Sequence, residues 1–269
     1  MKVVQRLGEI DRPCAFVPTM GALHAGHQSL IHIAREFSEN VLVSVFVNPL
    51  QFENKDDLAK YPHTPERDEE LAKVAGATIL WRPEFGEIYP ASHVKLSAGR
   101  VGQLFEGRSR PGHFDGVVTV VNQLFHLVKP KFAIFGEKDF QQLFLIRQMA
   151  ALYHPEIEII AAPTVRESSG LALSSRNVRL SSKGRVAANV ISAALRGAEN
   201  EENLDEMKER LTVLESAPDF TLDYAEIIDE ESFEIADENT TRKRAIVAGW
   251  VDGVRLIDNM AMKPALVRS

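Results

Sequence analysis

The apolar positions of the N-terminal half fall into short dense runs separated by segments of helical period. CAFV (14–17), NVLVSVFV (40–47), ATILW (77–81), KFAIF (131–135) and EIEIIAAP (156–163) are rich in β-branched and aromatic residues. Strands buried on both faces read this way. Helical patterns lie between them over residues 24–37, 64–75, 114–128 and 140–152. The second of these opens on Thr-Pro and is stopped by Gly76, a normal pair of boundary signals. Strand and helix alternate, which predicts an α/β fold, a Rossmann-like doubly wound parallel sheet over residues 1–163. Ligands of such sheets bind beyond the carboxyl ends of the strands, so segments that follow strands are where chemistry is expected.

The pattern changes after Pro163. A polar stretch, TVRESSGLALSSRN (164–177), leads into an Ala-rich helix near 181–198 and an acidic helix near 201–215. LDYAEIID (222–229) and RAIVAGWV (244–251) read as strands, and RLIDN (255–259) follows them. This is a smaller α+β domain over residues 164–269, expected to meet the first and enclose a cleft. No repeat or low-complexity tract interrupts the chain.

Composition narrows the class. The 269 residues are 45% hydrophobic and 26% charged, as in a globular protein with a substantial core. A formal charge of -7 disfavours nucleic acid and anionic membrane surfaces as partners, since both need excess Lys and Arg. No apolar run has transmembrane length, and MKVVQRLGEIDRP is too polar for a signal peptide. The single Cys14 allows no internal disulfide, fits a reducing cytoplasmic setting, and sits in an apolar segment that makes it a buried strand residue.

Four segments carry candidate chemistry. PTMGALHAGH (18–27) spans the turn from the first strand into the first helix. Its glycines permit close backbone approach, and a helix N-terminus with unpaired N–H groups seats phosphate. His24 and His27, three apart, project from one side of that turn and suit a triphosphate. The bland alternative is a plain loop with one capping and one core histidine. In FVNPLQF (46–52), Asn48 and Gln51 suit a small hydroxy acid, or form only an Asn-Pro turn. FGEKDFQQ (135–142) offers Lys138 for phosphate, Asp139 for a ribose hydroxyl or a helix cap, and Gln142 one turn on. GLALSSRN (170–177) offers Ser174, Ser175 and Arg176, able to close on a triphosphate, or else a serine-rich surface loop. Arg108, Arg110 and His113 in GRSRPGHF (107–114) are an anion contact or a dimer edge; Asp68 and Glu69 could reach magnesium, though a polar helix face explains them equally.

Together, the His-x-Gly-His turn, strand-end lysine and Ser-Ser-Arg loop look like the nucleotidyltransferase superfamily that includes class I aminoacyl-tRNA synthetases. More narrowly, PTMGALHAGH, FVNPLQF, EGRSRPGHF, FGEKDFQQLFLIRQM and LALSSRN, in that order, resemble the pantothenate synthetase (pantoate–β-alanine ligase) family. The resemblance implies an AMP-forming ligase in which pantoate and ATP give pantoyl adenylate and pyrophosphate. β-Alanine then attacks the acyl carbon to give pantothenate and AMP.

Matched by position, Met20, Gly21, Ala22, Leu23, His24, Ala25, Gly26 and His27 would contact ATP, with His27 as proton donor and His24 as phosphate partner. Gly136, Glu137, Lys138 and Asp139 would line the adenosine and phosphate site, Lys138 stabilising the transferred group. Val165, Leu173, Ser174, Ser175 and Arg176 would complete it as a lid, Arg176 sharing in catalysis. Gln51 and Gln142 would hold pantoate, Gln51 also meeting β-alanine. Magnesium on the phosphates and a homodimer are further implications. His63 stands where relatives often carry Arg, and Leu173 where some carry Met. The competing activity is nucleotidyl transfer to a small phosphorylated substrate by a cytidylyl- or adenylyltransferase. That pocket would be cationic, whereas Gln51 and Gln142 are neutral.

Overall fold

The computed structural model describes residues 1–6, 8, 14–52, 58–59 and 61–263. The chain divides into two compact units, Met1–Pro163 and Thr164–Ser269. In the first, six strands form one sheet: β1 (Lys2–Val4), β2 (Ala15–Thr19), β3 (Val41–Val45), β4 (Ile79–Trp81), β5 (Phe132–Gly136) and β6 (Glu158–Ala162). Their order is β1-β4-β3-β2-β5-β6, with every neighbouring pair parallel. Five of the six match the apolar runs. The edge strand β1 escapes that pattern, because only Val4 of its three residues is buried and no run marks it.

Four longer helices belong to this unit: α1 (Ala25–Phe37), α2 (Pro65–Val74), α3 (His113–Val128) and α4 (Phe140–Tyr153). α2 carries Pro at its start and ends where Gly76 takes φ 97°, letting the amides of Gly76 and Ala77 reach back to the carbonyls of Lys73 and Ala72. Fully buried Phe16, Leu42, Leu80 and Ile134 anchor the sheet, and Ile31 and Ala34 bring α1 onto it. Burying a side chain of that size stabilises the fold by about 1.5–3 kcal/mol. These positions therefore fix the strand ends from which the site is built.

The chain runs outward from β2 through β3 to β4, then crosses to the other side of β2 to make β5. That reversal is a topological switch point, the place where open α/β sheets bind ligands. The ladder between β2 and β5 pairs only Ala15 with Phe132 and Phe16 with Ala133. Beyond those residues the two strands no longer bond to each other.

In the second unit β7 (Thr221–Asp229), β8 (Lys243–Val251) and β9 (Val254–Ala261) form an antiparallel sheet in that order. Helices α5 (Ser182–Glu199) and α6 (Leu204–Thr212) pack on it through Ile191, Leu195, Met207 and Leu211. Both helices are capped as their sequences suggest, Ser181 Oγ accepting from Gly184 N at 2.9 Å and Asn203 Oδ1 from Glu206 N at 2.9 Å. The RLIDN segment lies inside the full-length strand β9. The acidic helix ends at Thr212 and passes into a 3-10 turn, Val213–Ser216. No helix among the described residues is long and apolar enough to cross a membrane.

Candidate active site

The turn leaving β2 is held by its own side chains. Thr19 Oγ1 donates to Ser44 O at 2.7 Å and accepts from Gly21 N at 3.2 Å. Gly21 and Ala22 then take left-handed φ values of 84° and 51°, the second uncommon for a residue with a Cβ. His24 is the N-cap of α1. Its Nδ1 accepts from Gly26 N at 3.1 Å, while His27 Nδ1 accepts from His24 N at 3.3 Å, a reciprocal capping box built from two imidazoles.

This arrangement sets the chemistry of both rings. A ring nitrogen that accepts from an amide carries no proton, so each neutral imidazole bears its N–H at Nε2. Burial lowers the His24 pKa to about 4, helped by the ammonium of Lys138 and opposed by Asp139. Burial lowers His27 further, to about 3, with His24 and Lys138 adding to the effect and Asp139 again opposing. The two ring centroids lie 4.2 Å apart. At pH 7 the turn therefore presents a pair of neutral Nε2–H donors.

The unpaired helix amides expected as the phosphate seat are largely taken. Gly21 bonds to Thr19, His24 to His27, and Gly26 and His27 to the His24 ring. The amides of Ala22 and Leu23 are bound to Asp68, at 3.0 Å to Oδ2 and 2.8 Å to Oδ1. The imidazoles rather than the turn's backbone are what it has to offer a phosphate. Asp68 is 2% exposed and also accepts from Thr64 Oγ1 at 2.9 Å, so both of its oxygens are engaged by neighbouring donors.

Beyond β3 the chain makes a 3-10 turn, Pro49–Gln51, capped by Asn48. Asn48 is buried with every polar atom used: Oδ1 accepts from Leu50 N at 3.2 Å and from the Tyr89 hydroxyl at 2.8 Å. Its Nδ2 donates to Gln51 Oε1 and to Gly116 O, both at 3.1 Å. Burial pushes the Tyr89 phenol up, which keeps it a donor. Gln51 Nε2 lies 3.0 Å from Met20 Sδ, joining this turn to the histidine turn. His113 is buried, with Nδ1 2.8 Å from Gln51 O and Nε2 3.0 Å from Arg110 Nη1. It supports the Gln51 turn.

At the end of β5, Gly136 leads into a 3-10 turn, Glu137–Asp139, and then α4. Lys138 Nζ stands 3.6 Å from Asp139 Oδ1, and both charges are felt by the two histidines. The adjacent glutamines divide their tasks. Gln141 is buried and ties α4 to the 101–106 loop, bonding to Val101 O, Leu104 O and Glu106 N at 2.8, 2.9 and 3.2 Å. Gln142 is half-buried in the first turn of α4.

In the second unit Leu173 N bonds to Val165 O at 2.9 Å, and Arg166 and Ala172 form a bridge, so these candidates share one local hairpin. Arg166 holds it down through a bidentate pair with Asp258 at 2.6 and 2.9 Å. Ser174 caps the 3-10 turn Ser175–Arg179 by accepting from Arg176 N at 3.2 Å, leaving Ser174, Ser175 and Arg176 half-buried.

Sequence reasoning misses three supports: Tyr89, Gly116 and Gln141. Only Gly116 leaves any signal, being a glycine inside a helix, and a Cβ there would meet Leu50 O at 2.3 Å.

Known proteins place the whole chain. Residues 1–261 match the model of the family described as pantoate-beta-alanine ligase. The pantothenate synthetase of Acidothermus cellulolyticus is 45% identical over 94% of this chain and 86% of its own length. That of Chlorobium chlorochromatii is 46% identical over 92% and 89%. The crystal structure of the Thermus thermophilus pantothenate synthetase superposes with TM-score 0.91 at 40% identity, covering 98% of this chain and all of that one. A pantoate-beta-alanine ligase from Francisella tularensis, complexed with beta-gamma ATP and beta-alanine, gives TM-score 0.79 at 34% identity over 97% of both chains. With its parallel sheet, its histidine turn and these relatives in agreement from end to end, the chain belongs to the pantoate-beta-alanine ligase family.

Proposed function

We infer that this chain joins pantoate to β-alanine at the expense of ATP, through pantoyl adenylate. One observation carries the assignment of residues. Two neutral Nε2–H imidazoles, the Lys138 ammonium and the amide of Gln51 are gathered around the end of β2 at the switch point of one sheet. Cations and N–H donors match a triphosphate, and a neutral amide matches a hydroxy acid.

In the first step a pantoate carboxylate oxygen bonds to the α-phosphorus of ATP, and the bond from that phosphorus to the bridging oxygen breaks, releasing pyrophosphate. Negative charge accumulates on the phosphoryl oxygens, where His24, His27 and Lys138 act by positioning and charge stabilisation. His27 acts through its neutral Nε2–H as a hydrogen-bond donor to the phosphoryl oxygens. Met20–Gly26, Gly136, Glu137 and Asp139 complete the ATP contacts of the first unit. Val165, Leu173, Ser174, Ser175 and Arg176 of the second unit take part as further ATP contacts, Arg176 supplying a fixed positive charge. Gln51 and Gln142 bind pantoate, and Gln51 also meets β-alanine. In the second step the β-alanine amine attacks the acyl carbon, AMP departs with the bonding electrons, and the nitrogen loses a proton.

Magnesium is expected with the nucleotide. Among the described residues no group of three or more His, Cys, Asp or Glu could hold a metal ion, so the donor set fits an ion carried by the phosphates. Such an ion would neutralise phosphate charge. A cytoplasmic homodimer is part of the same reading, checked by sedimentation at the mass of two chains.

The test follows the oxygen atoms. With pantoate labelled by ¹⁸O in its carboxylate, one label should appear in AMP for each pantothenate formed. The departing label appearing in water, pyrophosphate or inorganic phosphate in place of AMP would exclude the acyl adenylate.

A further inference from the structure

We propose that Asp68 is a positioning residue for adenylation, holding the Gly21–Leu23 turn so that His24 and His27 present their Nε2–H groups to the nucleotide. The proposal rests on the functional reading above for the identity of the reaction, and on geometry alone for the role of Asp68.

Asp68 lies in the first turn of α2, on a different element from the histidines, and is buried. Its oxygens accept the consecutive amides of Ala22 and Leu23 at 3.0 and 2.8 Å. Those amides border the left-handed Ala22, a strained backbone state that persists only where its surroundings hold it. The next amide along, His24 N, donates to His27 Nδ1, and Gly26 N donates to His24 Nδ1. One run of hydrogen bonds thus passes from the carboxylate through the turn to both rings. Space is closed as well, since a Cβ on Gly21 would stand 2.9 Å from Asp68 Oδ2. A carboxylate suits the task because it is an acceptor at both oxygens, whereas an amide would turn a donor toward one of the two N–H groups.

The expected consequence of Asp68→Asn is a rotated turn and imidazoles no longer locked in one tautomer. A displacement near 1 Å at a reacting centre lowers rates by about 10²-fold. Pantoate-dependent exchange of pyrophosphate into ATP should therefore lose about 10- to 100-fold in kcat, while KM for pantoate, set at the Gln51 turn, stays within about twofold. Imidazole ¹⁵N spectra supply a readout independent of activity: the parent should show His24 and His27 as single Nε2–H tautomers, and the variant a mixture. Thr64→Ala is the control. It removes the hydroxyl bound to Asp68 Oδ1 but leaves both amide contacts, so melting temperature falls slightly while kcat and the spectra hold.

Unchanged kcat or unchanged imidazole spectra in folded Asp68→Asn would overturn the proposal, as would equal kcat losses in both variants. Should Asp68→Asn not fold, Asp68→Glu, which keeps both acceptor oxygens but displaces them by one methylene, is read by the same spectra and rates. A parent enzyme with no exchange at all would sink the functional reading, whereas the spectra would still judge Asp68.

Discussion

Replacing His27 by Asn separates the role of its Nδ1 from that of its titration. The Asn carbonyl can still accept from His24 N, as His27 Nδ1 does at 3.3 Å, so at pH 7 the loss of stability should stay within about 1 kcal/mol. Titration then favours the variant. His27 has a folded pKa of about 3 against an ordinary value of 6.5, so the folded state excludes a proton that the unfolded chain accepts. Above pH 6.5 both states are neutral and nothing is lost; as pH falls toward the folded value, the parent weakens by about 1.4 kcal/mol per unit. Between about pH 6.5 and 4.5 the parent should lose about 2.3 kcal/mol that the variant keeps. His24 weakens both proteins alike, since desolvation and Lys138 act on it with or without His27. Urea unfolding of the first unit, followed by the buried Trp81 in a Trp250→Phe background, should show the parent's midpoint falling by about 1 M relative to the variant. A gap between the two proteins that does not change with pH would refute the burial of a neutral imidazole.

Other perturbations address the site piece by piece. His27→Ala should lower pantoate-dependent pyrophosphate exchange by about 10²-fold or more with folding intact, and normal exchange would refute its role. Arg176→Ala should lower kcat for exchange about 10²-fold while the melting of the second unit holds; an unchanged kcat would remove Arg176 from the reaction. Tyr89→Phe takes one donor from Asn48 and should raise KM for pantoate about fivefold, the equivalent of about 1 kcal/mol, with KM for ATP unaffected. Gly116→Ala drives a Cβ to 2.3 Å from Leu50 O, so calorimetry should report about 1–3 kcal/mol of destabilisation together with a higher KM for pantoate.

Four strands of the large sheet are readable because they are largely buried and so appear as apolar runs, and the edge strand β6, with only Ala162 fully buried, is readable because Ile159, Ile160 and Ala161 still make it apolar. β1 is not, since a three-residue edge strand with one buried residue has no pattern to display. The four motifs are legible because the candidate side chains follow strand ends, and the fold brings three of them to one end of one sheet. Their supports are harder to see. Asp68 lies in PERDEEL among acidic residues typical of a solvated helix face, and only burial distinguishes it from Glu69 and Glu70. Gln141 and Gln142 are identical in type and adjacent, so only the helix's rotation could show which one ties down a loop. The helix N-terminus invites a phosphate in sequence, but periodicity cannot reveal that Asp68 and two histidine rings already occupy most of the turn's amides.

The most direct test of the account is isotope exchange between labelled pyrophosphate and ATP, because it reads formation of the acyl adenylate without the second substrate. Exchange should require pantoate and proceed with no β-alanine present. Exchange that runs without pantoate, or that begins only when β-alanine is added, would contradict it.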